Sequence, residues 1–160
     1  MQPRIDGAKV APGGYKAMLG LETYLHQSSL ELPLIHLIKL RASQINGCAY
    51  CIDMHWKDLR AIGQNEQRLY GLDAWREAPY YSDRERAALA WTEAVTRITE
   101  GHVADEVYEE VRPHFSEKEL ADLTLAIATI NAWNRLAIAS RTEAGKYQPP
   151  ASVREVKKTA

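Results

Sequence analysis

Between Pro33 and Gly63 the sequence reads as two helices meeting at a single glycine, and this hairpin constrains everything around it. Pro33 suits a first-turn position, where its missing N–H is no loss. Leu34, Leu37, Ile38, Arg41 and Ile45 then recur at helical spacing as far as Gly47, a residue type suited to ending a helix. A second helix runs from Cys48 to about Ile62 and is closed by Gly63.

The same period governs most of the remaining chain. Apolar positions repeat from about Tyr15 to His26, and a shorter helix is predicted from Asn65 to about Glu77. Ser82-Asp-Arg-Glu85 and Ser116-Glu-Lys-Glu119 are capping boxes. The first opens a helix through Ala90, Trp91 and Ile98 to Gly101; the second opens a long helix ending near Arg141. A short helix at about Ala104 to Val111 stops before Pro113. No segment alternates with period two for long enough to make a strand, so the expected fold class is all-α. One helical domain is expected over residues 1–141, with residues 142–160 as an extended or disordered C-terminal tail, an arm reaching a neighbouring subunit.

Two further patterns carry expectations. Ile35, Ile38, Leu40, Ile45 and Asn46 align with Leu120, Leu123, Leu125, Ile130 and Asn131 at an offset of 85 residues, the pattern that duplication of a helix pair would leave. Leu123 to Ala139 is apolar on nearly every face and must be covered all round, which points to a subunit interface. Arg41, alone on an apolar stripe, needs a carboxylate, and Asp53 is a candidate partner.

Composition excludes several classes. A formal net charge of -1 gives no pull toward nucleic acid or anionic membrane. The least charged run, Ala121 to Ala139, is interrupted by Asp122, Asn131, Asn134 and Arg135, which argues against a membrane span. The opening residues Met1 to Gly7 lack an apolar signal core, so a cytoplasmic, reducing location is expected. There a Cys-x-x-Cys is more often catalytic or metal-binding than a fixed disulfide.

The only two cysteines lie in Cys48-Ala-Tyr-Cys51-Ile-Asp-Met-His55. Residues three, four and seven apart share a helix face, so both sulfurs and the imidazole line one stripe. Cys48 sits at the helix N-terminus, where free N–H groups and the dipole favour a thiolate. A thiol shifted from about 8.5 to about 6.5 raises its thiolate fraction at pH 7 about 25-fold. Lower nucleophilicity takes back roughly 8-fold, leaving a gain of about threefold. Proton delivery to a departing oxygen must therefore contribute more, which is the role open to His55. The implied chemistry is oxidation of one thiol to a sulfenic acid, condensation with the other, and reduction of the disulfide by an outside dithiol. No flavin or nicotinamide fingerprint is present, so no cofactor is expected and electrons come from a partner.

The stretch Leu34 to His55, and within it Arg-Ala-Ser-Gln-Ile-Asn-Gly-Cys-x-x-Cys-x-x-x-His, resembles the core motif of the AhpD-like alkylhydroperoxidases of the carboxymuconolactone decarboxylase superfamily. Glu85 to Glu93 and Asn131-Ala-Trp-Asn-Arg135 resemble later segments of its small members, so the likeness covers most of residues 15–140. It implies an all-helical bundle, a trimer or hexamer, a hydroperoxide substrate, and a thioredoxin-type or lipoyl-type reductant. Carried over by position, Cys48 and Cys51 are the redox pair and His55 the relay histidine. Where that pattern has a relay glutamate, twelve residues before the first cysteine, this chain has His36. A turn at Gly47 would bring His36 toward His55.

Other readings stand beside this one. Cys48, Cys51, His55 and His36 are a permissible zinc set, which would make the chain a metal-holding or redox-sensing module. A disulfide reductase without a peroxide step needs the same dithiol. A lactone decarboxylase does not depend on the cysteine pair, and an inert helix treats both cysteines as buried hydrophobes. His26, His102 and His114 read as surface residues, and Trp56, beside His55, as the tryptophan nearest the chemistry.

Overall fold

A left-handed backbone at Gly47 (φ 69°) is the pivot of the fold. The computed structural model describes residues 2–150, and every regular element among them is helical. In chain order these are α1 (Gly7–Val10), α2 (Pro12–His26), α3 (Leu32–Asn46), α4 (Ala49–Ala61), α5 (Glu66–Tyr70), α6 (Asp83–Thr96), α7 (Asp105–Val111) and α8 (Glu117–Ser140). Cys48 is the N-cap of α4, so α3 reverses into α4 across two residues. An added Cβ at Gly47 would meet nothing within 4 Å, so only the backbone conformation demands glycine there. Gly47→Ala should therefore destabilise the protein by about 1 kcal/mol in urea denaturation, from left-handed strain alone.

Helix α3 is the central element. Every residue from Leu34 to Ser43 is buried, and the helix packs on α4, α6 and α8. One apolar cluster joins Leu25, Ile35, Ile38, Ala88, Leu123 and Ile127; a second joins Leu37, Leu40, Leu59, Leu69, Leu72 and Trp75. A helix buried on all sides must pair its charges. Lys39 pairs with Glu22, and Arg41 pairs with Asp73 and with Glu93 at 2.8 Å. The expected Arg41–Asp53 pair does not form. Arg41 faces Glu93 of α6, whereas Asp53 takes Lys57 one turn along α4 at 2.9 Å.

Both capping boxes close as read, at Ser82 and Ser116. The predicted helix from Asn65 to Glu77 is instead α5 followed by a 3₁₀ turn over Gly71–Ala74. Leu69, Leu72 and Trp75 explain the change: apolar residues at strict three-residue spacing align on one face only when the turn tightens. Helix α8 is covered along most of its surface, but Ala121, Leu125, Ala128, Arg135 and Ala139 remain exposed along one face, with Ile138 exposed beside it. Of the positions aligned at an offset of 85 residues, Asn46 and Asn131 meet, Asn46 Nδ2 donating to Asn131 Oδ1 at 3.0 Å. Of the expected tail, residues 142–150 lie against α4 without regular structure; residues 151–160 are outside the described part. No helix among the described residues is long and apolar enough to cross a membrane.

Candidate active site

Both cysteines are free and buried, with their sulfurs 2.7 Å apart. Ala42 and Ile130 pack beneath them, with Tyr50, Trp133 and Ala137 around the edge. Cys48 has extended backbone at the N-cap (φ -84°, ψ 94°). Hydrogen bonding from the Cys51 thiol holds the Cys48 thiol down to about 7 against the opposing effect of burial. The Cys51 and Tyr50 amides and the Asn134 side chain add to this, although no amide bond of regular capping geometry forms. The Cys51 thiol is pushed up by its bond to Cys48 and by burial. The two sulfurs thus titrate as a unit, with the first charge resting on Cys48 and the remaining proton on Cys51.

Asn134 is fully buried and fixed from two sides. Asn46 Nδ2 donates to its Oδ1 at 2.8 Å, and its own Nδ2 donates to Ser43 Oγ at 3.0 Å. The Asn131-Ala-Trp-Asn-Arg135 segment thereby delivers an amide to the sulfur pair.

The hairpin brings His36 of α3 against His55 of α4, with Nδ1 to Nδ1 at 3.2 Å. Asp58 Oδ2 stands 3.7 Å from His36 Nδ1 and 4.0 Å from His55 Nδ1, and its Oδ1 accepts from Tyr147 Oη at 2.7 Å. Burial, then Lys39 and His26, lower the His36 imidazole to about 3. Burial, then His36, Lys39 and His26, hold His55 well below its ordinary value. Burial likewise pushes the Asp58 carboxyl upward. Both imidazoles are therefore neutral at pH 7, and only one of the facing Nδ1 atoms can carry a proton. Their Nε2 atoms, both buried, hydrogen-bond to no described residue.

These groups open on a cavity of about 460 Å³. Cys51, His36, His55 and Asp58 line it; Cys48 does not. Much of the rest is apolar or aromatic, including Leu19, Met54 and Trp133. Thr142, Tyr147 and Pro150 build one wall, fastened where Lys57 Nζ donates to the carbonyls of Gly145 (3.1 Å) and Tyr147 (3.0 Å).

The four residues singled out in the sequence thus fall into two adjoining pairs, dithiol and diimidazole. The sulfurs do not join the histidines in one compact donor set: the three-donor cluster found among the described residues is His36, His55 and Asp58. Asp58 was missed, though at i+3 from His55 and i+7 from Cys51 it lies on the same stripe. Tyr147 had no local signal. His26 is exposed, as expected, and also borders the cavity, its ring centroid 6.3 Å from that of His36. Trp56 turns away from the site and donates to Glu66 at 3.2 Å.

Residues 12–94 match the model of the carboxymuconolactone decarboxylase family. The chain belongs to that family. It is 48% identical over 139 residues to YdfG of Bacillus subtilis, an uncharacterized protein, spanning 87% of this chain and 95% of the relative. It superposes with a TM-score of 0.88, at 46% identity, on an Agrobacterium tumefaciens protein of unknown function that is a candidate antioxidant defence protein AhpD. That match covers 91% of this chain and all of the other. A peroxidase-related protein with an alkylhydroperoxidase AhpD core from Ralstonia eutropha shares the fold alone, at 19% identity and a TM-score of 0.75 over 95% of this chain and 78% of that one. Within the carboxymuconolactone decarboxylase family the protein is thus AhpD-like.

Proposed function

We propose that this carboxymuconolactone decarboxylase family member is a thiol-dependent peroxidase that reduces organic hydroperoxides through Cys51 and Cys48, with His55 and His36 moving protons. The observation that carries the reading is spatial: Cys51 and both histidines line one apolar cavity while Cys48 waits 2.7 Å behind Cys51.

The proton on Cys51 passes to Cys48 across that short contact, leaving a thiolate facing the cavity. This sulfur attacks the terminal peroxide oxygen; the O–O bond breaks, Cys51 becomes a sulfenic acid, and an alkoxide departs. The alkoxide takes a proton from His55 while the second ring nitrogen of His55 accepts one from His36, 3.2 Å away. His36 takes a proton back at its Nε2 from solvent in the cavity, replacing the one the dithiol released on ionising. The pair thus stays neutral, with neither an imidazolium nor an imidazolate left behind, its two Nε2 atoms being the ends of the wire. The Cys48 thiol then condenses with the sulfenic acid, giving a disulfide and water. The sum is dithiol plus hydroperoxide to disulfide, alcohol and water. An external dithiol of the thioredoxin or lipoyl type restores the pair by exchange. This reading suits a reducing cytoplasm and a trimer or hexamer, to which exposed Leu125 and Ile138 of α8 would contribute apolar contact.

Stopped-flow mixing of the reduced protein with cumene hydroperoxide tests the proposal. One equivalent of peroxide should give one intramolecular disulfide. Oxidation no faster than that of an unactivated thiol, together with turnover of disulfide substrates by the same dithiol, would assign a disulfide reductase instead.

The thiol pair also predicts a pH profile. The ultraviolet thiolate absorbance of the reduced protein, read against the Cys48→Ser, Cys51→Ser double variant, should rise through about pH 7, because the Cys48 thiol is held at about 7. An apparent pKa near the ordinary value of about 8.5 would remove the coupling to Cys51 from the argument.

A further inference from the structure

We propose that His36, His55 and Asp58 form a site for a first-row divalent cation, with zinc as its simplest occupant, built without either sulfur. The three donors come from facing helices: His36 from α3, and His55 and Asp58 one turn apart on α4. Their facing atoms are separated by 3.2, 3.7 and 4.0 Å. The point in their plane equidistant from all three lies about 2.1 Å from each, within the about 2.0–2.2 Å of zinc bonds to imidazole nitrogen and carboxylate oxygen. A tetrahedral ion would draw the Asp58 oxygen in by on the order of half an ångström, within reach of a side-chain adjustment.

Charge argues in the same direction. Asp58 is buried, and no Lys or Arg among the described residues comes within ion-pair distance of it. Lys39, the cation nearest in sequence to His36, is engaged by Glu22. Lys39 acts on Asp58 through space and Tyr147 hydrogen-bonds it, so the buried carboxylate is compensated in part, and a dication would complete its neutralisation. Tyr147 Oη donates to Asp58 Oδ1, which fixes the carboxylate and leaves Oδ2 for an ion, the arrangement expected one shell out from a metal. Two nitrogens and one oxygen suit a borderline ion such as zinc better than magnesium or calcium, which favour all-oxygen shells. All three residues line the cavity, so an ion has a way in and keeps open positions for solvent or a small ligand.

An ion held there would occupy both facing Nδ1 atoms and interrupt the histidine wire. That consequence rests on the proposed peroxidase reading; the cation site does not. The experiment is therefore done on the full chain carrying Cys48→Ser and Cys51→Ser, which has no dithiol chemistry. The protein is stripped with a chelator, exchanged into clean buffer and titrated calorimetrically with zinc chloride, then with cobalt chloride under visible absorption. One zinc per chain is expected, and cobalt bands without sulfur-to-metal charge transfer. Asp58→Asn and His36→Gln in that background should each weaken zinc binding by roughly 100-fold or more, and Tyr147→Phe by roughly 10-fold. Thermal melting checks the fold of each; Asp58→Asn is isosteric and decides the matter if His36→Gln does not fold. Absence of saturable zinc binding in the double-serine protein, or equal affinity after Asp58→Asn, overturns the site. A sulfur charge-transfer band in the wild type with no binding in the double-serine protein also overturns it, because the thiols would then be the ligands.

Discussion

Replacing Cys51 by serine should abolish peroxide turnover, with kcat/KM falling by at least roughly 10,000-fold, as when a covalent nucleophile is removed elsewhere. Cys48→Ser should behave differently: it should consume one equivalent of hydroperoxide and stop at a sulfenic acid on Cys51, trappable with dimedone. The asymmetry follows from position rather than acidity. Cys48 holds the first negative charge, but Cys51 lines the cavity and Cys48 does not. An attacking sulfur must reach the O–O bond in line, and geometry of this kind outweighs the few-fold gain available from a lowered pKa. Cys48→Ser also removes the neighbour that keeps the proton on Cys51, so the Cys51 thiol should titrate lower in that variant than in the wild type. The reverse pattern, with Cys51→Ser reacting once and Cys48→Ser inert, would exchange the two roles.

A second large effect should appear in stability. His36 and His55 are both neutral in the folded protein, His36 at about 3 and His55 well below its ordinary value. In the unfolded chain each titrates near about 6.5. Below that pH the unfolded state binds more protons than the native state, so stability falls as pH drops through 6.5 and continues to fall toward 3. A histidine whose native pKa lies well under the window contributes about 1.4 kcal/mol per pH unit. Acidification from pH 7 to pH 5 should therefore remove about 2 kcal/mol through His36, with His55 adding to the loss in the same direction. That is a large share of the roughly 5–15 kcal/mol that holds an ordinary domain together. Asp58, with its carboxyl pushed upward, acts in the opposite sense nearer the carboxylate range, which is why the comparison stops at pH 5. Urea denaturation at the two pH values measures the difference, and His36→Gln should reduce it. A stability independent of pH across this window would mean that both rings titrate in the native state as they do in the unfolded chain, and a rise on acidification would mean that the pair is already charged.

What could be read from the sequence was what is local. Pro33, Gly47 and the two serine capping boxes act within a few residues of themselves, and the structure places helix ends at each. Cys48, Cys51 and His55 share one helix, so their common face needed no knowledge of the fold. His36 required one additional step, the reversal at Gly47. Interactions closed by distant packing were a different matter. Arg41 found Glu93, 52 residues away, because α6 rather than α4 covers its face of α3. Asn134 reaches the sulfurs only because α8 lies against α3, and Tyr147 meets Asp58 across 89 residues. The break after Tyr70 lay within reach, since Leu69, Leu72 and Trp75 repeat every three residues, but a five-residue helix offers too few turns to separate that period from 3.6. Helix α1 is a single turn of Gly-Ala-Lys-Val and left no periodic trace at all.

The wall formed by Thr142, Tyr147 and Pro150 lies outside the stretch shared with the family model, residues 12–94, whereas both cysteines and both histidines lie inside it. One side of the cavity is consequently written apart from the hairpin, while Tyr15, Leu19 and Met54 on the other sides share its stretch of chain. Grafting a different ending onto the same hairpin should reshape that one side, and it should also disturb Asp58 unless a hydroxyl equivalent to that of Tyr147 is kept.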